Sequence, residues 1–305
     1  MTTGPTTTGQ TYPQHRAPLD DGLVRRLVAR RFPRWAGLPV ERLPSGGTVN
    51  AMFRLGEDKV VRLPLGGGGA PDLELERTWL PRLAARLPAA VPEVLGAGEP
   101  DGGYPWPWSV YRWLPGENPR AGALAEPVRL AADLARFVTA MRDLDLPAGP
   151  PAHRGGPLAT LDAATRAAIG ALRAIPQEGV DCDAVTAVWE EALRAPQWDG
   201  PPVWLHADLM PGNLLVDGGG LTTVIDFGCA GTGDPACDLF PAWNLLPSDA
   251  REVFRAELGV DDATWLRGRG RTHSQALIAL PHHHAANATM ADNARHVIRE
   301  VLAEA

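Results

Sequence analysis

The chain has 305 residues, 45% hydrophobic and 21% charged, the balance of a globular protein with room for one large domain or two ordinary ones. A formal net charge of −7 gives nucleic-acid binding no electrostatic support, and no apolar run approaches the roughly 18 residues of a membrane span. Three cysteines, Cys182, Cys229 and Cys237, match neither a disulfide frame nor a zinc pattern, which suits reduced thiols in the cytoplasm.

Residues 1–18 are polar, lack the apolar core of a signal peptide, and read as a disordered tail. Residues 19–35 read as an amphipathic helix carrying Leu23, Leu27 and Val28. Three short alternating runs follow: Val40 to Pro44, Ala51 to Leu55, and KVVRLPL from Lys59. Gly-rich turns separate them, so they predict antiparallel hairpins. GGGGAP at 66–71 reads as a flexible connector, 72–87 as a helix, and VPEVLGAGE and WSVYRWL as two more strands. LPGENPRAG at 114–122 is a Pro/Gly linker and marks a boundary. Beyond it the pattern predicts helices over 126–144, 158–175 and 181–195. Short strands follow at Val203–Leu205, Leu214–Val216 and Thr222–Ile225, and then helices over 235–246, 248–257, 262–280 and 289–304. This is an α+β chain with a small strand-rich lobe over 19–114 and a larger helical lobe over 115–305. Charge divides unevenly: residues 1–119 carry 14 basic and 12 acidic groups, and residues 120–305 carry 15 and 24.

HADLMPGN lies between two of the short strands. Asp208 and Asn213 are five residues apart, with Pro211 and Gly212 bending the chain between them. Thirteen residues after Asn213, TVI runs into Asp226-Phe227-Gly228, and a hairpin would return Asp226 beside Asn213. Oxygen donors so placed suit a hard cation, with a further carboxylate near enough to meet a substrate hydroxyl. Each residue alone could be a turn or strand-end residue; the joint spacing is much harder to explain that way.

These motifs, HxDLxxGNLL, IDFG and GDPAxDL, resemble those of the aminoglycoside phosphotransferase family of protein-kinase-like small-molecule kinases. The resemblance runs from about Leu43 to the C-terminus. It implies a two-lobe protein-kinase-like fold, with a small antiparallel-sheet lobe for ATP or GTP and a larger helical lobe for catalysis. By that resemblance Asp208 is the catalytic residue, Asn213 and Asp226 hold Mg²⁺, and His206 and Asp238 support the loop. One departure is Ala207, where relatives commonly have Gly, a small change.

A phosphotransferase also needs a basic residue on a strand to meet the nucleotide phosphates and a helix acid to hold it. In KVVRLP, Val60 and Arg62 share one face, and Lys59, the only lysine, takes the other. Kinases place a lysine on this strand, and the matching position here is Arg62. The helix acid is Glu74 or Glu76; the apolar stripe Trp79, Leu80, Leu83 and Leu87 takes in Glu76 and leaves out Glu74, which favours Glu76. The loop from Ser45 to Asn50 can cover phosphates with backbone N–H groups and the Ser45 and Thr48 hydroxyls, although SGG also makes an ordinary hairpin turn. Family analogy puts the backbone near Trp113 and Leu114 against the nucleotide base.

Only five residues separate Gly228 from Asp234-Pro235, where Asp as N-cap and Pro at the first position start a new helix. That leaves no room for a peptide-holding activation segment, so the acceptor is expected to be a small molecule. It can be an aminoglycoside or other antibiotic, or a metabolic alcohol such as choline, homoserine or a sugar. Neither a nucleic acid nor a membrane is an expected partner. Two rival readings stay open: a non-catalytic nucleotide-binding protein, and a metal-dependent hydrolase built on His206, Asp208 and the run His282-His283-His284. That run follows Pro281 and reads as a turn between the last two helices.

Overall fold

The computed structural model describes residues 19–44, 49–175 and 178–305. Residues 1–18, read above as a tail, lie outside them. The chain divides into two compact units, residues 1–81 with 92–114, and residues 82–91 with 115–305.

In the first unit, α1 (Asp21–Arg31) starts where the Asp20 carboxylate accepts the Leu23 N–H at 2.7 Å and stops before Pro33. Its buried stripe is Leu23, Val24, Leu27 and Val28. The helix is shorter than the expected 19–35 because Pro33 to Trp35 form a separate tight turn. Five antiparallel strands follow: β1 (Val40–Arg42), β2 (Asn50–Leu55), β3 (Lys59–Pro64), β4 (Val94–Gly98) and β5 (Trp108–Arg112), in the order β1-β2-β3-β5-β4. β2 alternates, burying Ala51, Phe53 and Leu55. Central β3 is buried from Val60 to Pro64, on both faces of the strand, so Arg62 sits in an apolar setting. The tetraglycine segment is not a loose connector. Gly67–Gly69 make a tight helical turn that leads into α2 (Ala70–Leu83). That helix ends four residues sooner than expected, at Leu83, two residues after Pro81.

The second unit is mainly helical: α3 (Pro127–Arg142), α4 (Asp162–Arg173), α5 (Cys182–Arg194), α6 (Pro241–Asn244), α7 (Ser248–Leu258), α8 (Asp262–His283) and α9 (Ala288–Glu304). Two small ribbons carry the loops of interest. β6 (Val203–Leu205) pairs with β9 (Gly231–Gly233), and β7 (Leu214–Asp217) pairs with β8 (Gly220–Val224). β9 was not expected, because two of the three residues of GTG are glycine, which is depleted in strands. Its glycines are there for closeness: a Cβ on Gly231 would stand 2.3 Å from the Pro150 carbonyl oxygen, and one on Gly233 2.6 Å from that of Gly155. The segment 150–155 therefore lies directly against β9, bonded through Ala152 N–H to Thr232 O and Thr232 N–H to Pro150 O.

α8 is buried along most of its length despite the run RGRGR at 267–271. Arg267 and Arg271, one turn apart, both pair with the buried Asp234, at 3.0 and 3.2 Å. At the end of the fold the Glu304 carboxylate accepts the indole N–H groups of Trp265 (2.8 Å) and Trp243 (2.5 Å) and pairs with Arg251 (3.1 Å). The two indoles lie 4.7 Å apart. Among the described residues, no helix is long and apolar enough to cross a membrane.

Candidate active site

The candidate residues fall into two groups, one in each unit. In the second unit the group is built on the loop between β6 and β7. Asp238, wholly buried, receives the His206 N–H at 2.8 Å on one oxygen and the Ala207 N–H at 2.7 Å on the other. Burial pushes its carboxyl above the usual carboxylate range, while His206 and these two N–H bonds pull it back. The two bonds fix the start of the loop.

His206 has both ring nitrogens engaged. Nε2 lies 3.1 Å from the Ile225 carbonyl, which can only accept, so Nε2 carries the hydrogen. Nδ1 then accepts the Asp208 N–H at 3.2 Å. The ring also packs edge-on against Phe227 at 4.6 Å. With every polar atom of the ring in use, His206 ties the loop to the Asp226 segment and is not arranged as a base or a metal ligand.

Ala207 has φ +66°, in the left-handed region. The substitution that looked small in the sequence thus falls at a backbone position that favours glycine. Asp208 follows, its side chain 19% exposed. Oδ1 lies 2.6 Å from Nη1 of Arg154, and Oδ2 accepts from Nδ2 of Asn213 at 3.0 Å. Asn213 also donates to the Asp208 carbonyl at 2.9 Å, closing the turn Pro211–Asn213, and Asn118 Nδ2 braces the carbonyls of Gly212 and of Leu214 just after it. The β7–β8 register sets Leu214 opposite Val224, and the Ile225 N–H reaches the Asn213 carbonyl at 2.9 Å. Asp226 therefore leaves β8 beside Asn213, turned by φ +65°.

The donor set fits a magnesium ion. Asn213 directs its amide nitrogen at Asp208, so its oxygen is the atom presented elsewhere, and Asp226 adds a carboxylate. Two hard oxygen donors suit a cation that keeps waters and takes phosphate oxygens for its remaining positions. Among the described residues, no group of three His, Cys, Asp or Glu is arranged to hold a metal. The histidine run is not the expected turn: His282 and His283 end α8, and their rings meet edge-on at 4.6 Å. His284 faces Glu178 at 4.0 Å.

Arg154 is the residue that sequence reasoning missed. It lies in the segment against β9. Its carbonyl is held by Arg271 Nη1 at 2.6 Å, and its Nη1 also donates to the Ala207 carbonyl at 3.1 Å. Burial opposes its charge, but Asp208, Cys229 and Cys237 outweigh burial and raise it above its ordinary value. No local motif points to it, because the link to Asp208 runs through the glycines of β9.

In the first unit, Arg62 of β3 places Nη1 2.9 and 3.0 Å from the two oxygens of Glu76 on α2. Glu76 is wholly buried in the stripe with Leu73, Leu80 and Leu83, whereas Glu74 is exposed and lies 3.6 Å from Arg77. Tyr111 of β5, also missed in the sequence, donates its hydroxyl to Glu76. Burial, then the charge of Glu76, raises its phenol well above the usual range, so it stays protonated. Asn50 turns its amide oxygen to Nε and Nη2 of Arg62, both at 2.9 Å. Lys59 instead pairs with Asp58 and lies over Trp35. The Trp113 N–H is bonded to the Asp58 carbonyl at 2.8 Å, so of the backbone groups expected near the base this donor is engaged. Ser45 and Thr48 lie outside the described residues.

A small five-stranded sheet unit and a helical unit bearing this loop define a protein-kinase-like small-molecule phosphotransferase. The family model for the phosphotransferase enzyme family matches residues 40–272, and the chain belongs to that family, whose members transfer a phosphoryl group to an alcohol. A search of curated proteins finds no match. Among solved structures, the GDP complex of wild-type aminoglycoside 2'-phosphotransferase-IIIa is similar with a TM-score of 0.70 at 20% identity, over 93% of this chain and 99% of that one. The apoenzyme of macrolide 2'-phosphotransferase MphH from Brachybacterium faecium is similar with a TM-score of 0.60 at 20% identity, over 92% and 98%.

Proposed function

We propose that the protein transfers the γ-phosphoryl group of ATP or GTP to a hydroxyl of a small molecule, an antibiotic or a metabolic alcohol. The observation that carries this reading is the Asp208 carboxylate, half-buried and held by Arg154 and Asn213, next to the donor pair Asn213 and Asp226. Asp208 orients the acceptor hydroxyl and takes its proton as the oxygen attacks phosphorus. Arg62, steadied by Glu76, Tyr111 and Asn50, meets the α/β-phosphates with a fixed guanidinium. Asn213 and Asp226 hold Mg²⁺, which supplies charge neutralisation on the phosphate oxygens. The transition state of phosphoryl transfer is loose, so orientation outweighs strong base strength at Asp208. Similar folds solved with GDP or ATP support a nucleoside triphosphate donor. Three cysteines without a disulfide accord with a cytoplasmic setting.

A screen of antibiotics and metabolic alcohols for stimulated ATP or GTP consumption tests the proposal. Asp208→Ala is expected to lower turnover by about two to four orders of magnitude with nucleotide affinity nearly intact. Turnover that survives the change removes the role assigned to Asp208. Nucleotide binding with no turnover on any acceptor favours a non-catalytic binding protein.

A further inference from the structure

A pocket of the second unit opens between α6, α8, α9 and the turn at Met210. Met210, Phe240, Asn244, Gln275 and Asn293 line it, with alanines of α8 and α9 between them, and no lining residue is charged. It adjoins the catalytic loop directly. Asn244 Nδ2 donates to the carbonyl of Leu209, next to Asp208, and lies 3.4 Å from the sulfur of Met210.

That bond to Leu209 fixes the Asn244 amide, because a carbonyl can only accept. Its Oδ1 is then the other end. Asn244 is wholly buried, yet Oδ1 has no hydrogen-bond partner among the described residues. The same holds for the buried Oε1 of Gln275, whose amide nitrogen lies 4.0 Å from the Met210 sulfur. Buried carbonyl oxygens are seldom left without a donor. Two of them in one uncharged pocket, beside the loop that carries Asp208, call for a donor from outside the chain.

We propose that this pocket is an acceptor subsite for an uncharged hydroxyl or amide N–H borne on apolar framework, and that the acceptor is a polyol neutral over most of its surface. The inference rests on the phosphotransferase reading above and narrows its substrate. An ammonium group entering here would lose its hydration and meet no carboxylate, which is unfavourable. The pocket admits a single small polar group, and Ala276, Ala279 and Ala294 set apolar methyl groups and no counter-charge around it.

The test uses the full chain and two polyols, kanamycin, dense in amines, and erythromycin, neutral apart from one amine. Binding is measured by calorimetry without nucleotide, and kcat/KM with ATP and with GTP. The expected result is erythromycin binding, and a kcat/KM for kanamycin at least tenfold lower. Gln275→Leu raises the erythromycin KM about tenfold with little loss of kcat, and Gln275→Glu, of equal size, shifts preference toward kanamycin. Kanamycin used as well as erythromycin, neither polyol bound, or a KM unmoved by Gln275→Leu overturns the proposal. Failure of the phosphotransferase reading shows separately, as wild-type protein that binds erythromycin but neither binds nor consumes nucleotide.

Discussion

Arg154 and Asp208 form the closest ion pair of the catalytic loop, with Nη1 2.6 Å from Oδ1. The arginine comes from a segment more than fifty residues upstream and also holds the Ala207 carbonyl. It therefore sets where Asp208 points. Arg154→Ala is expected to lower kcat about 10- to 100-fold, and Arg154→Lys to recover only part, since one terminal nitrogen serves both acceptors and the shorter, more flexible lysine holds an ammonium there less firmly. Steady-state kinetics on an active acceptor decide this. A kcat unchanged in Arg154→Ala means that Asn213 alone orients the carboxylate.

Tyr111→Phe removes the hydroxyl that donates to the buried Glu76 and changes little else. A bond to a charged, buried acceptor is worth about 1.5–3 kcal/mol, and urea unfolding of the variant should show a loss in that range. Nucleotide KM should rise as well, because Glu76 is the group that holds Arg62. A loss of stability without any change in KM assigns Tyr111 to the fold only.

Ala207 tests the backbone at φ +66°. Glycine relieves the strain but gives up a buried methyl group, so Ala207→Gly is expected to stay within about 1 kcal/mol of wild type. Ala207→Val adds a branched side chain to the same conformation and should destabilise by about 1–3 kcal/mol. Thermal unfolding compares them, and a tolerated valine argues against strain at this point.

His273 governs an acid limb of stability. Burial first, then the charge of Arg269, depress its imidazole to about 4, against the donating bond to Val185 that raises it. The unfolded chain takes up this proton near 6.5 and the folded one only near 4. The stability of burying the neutral ring is complete above 6.5 and is lost as pH falls through about 4, at most about 3 kcal/mol. Denaturant unfolding at pH 7.5 and 4.5 measures it. His273→Gln keeps a donor for Val185 and should flatten the dependence.

What could be read from the sequence was local. Asp208, Asn213 and Asp226 stand at spacings that a two-strand hairpin turns into proximity, and the helical stripe that takes in Glu76 needs only a count of 100° per residue. What could not be read depends on distant backbone. Arg154 reaches Asp208 because Gly231 and Gly233 let the 150–155 segment lie against β9. Tyr111 reaches Glu76 because β5 lies next to β3, with Val60 opposite Tyr111. The tetraglycine segment misled in the other direction: its composition suggests slack, and the chain uses it as a turn into α2. Pro281 likewise suggested a break before the histidines, yet α8 continues through it to His283.

The carboxylate of Glu304, bonded to the indoles of Trp243 and Trp265, gives the molecule an optical reporter of its own. Two indoles in contact, tilted by 48° and with N–H groups held by one anion, absorb and emit differently from indoles in water. Near-ultraviolet circular dichroism and tryptophan emission should register the release of α9 from its seat on α6 and α8 with no label attached. Replacing Glu304 by alanine removes the shared acceptor, and the difference spectrum isolates those two chromophores from the other eight tryptophans of the chain.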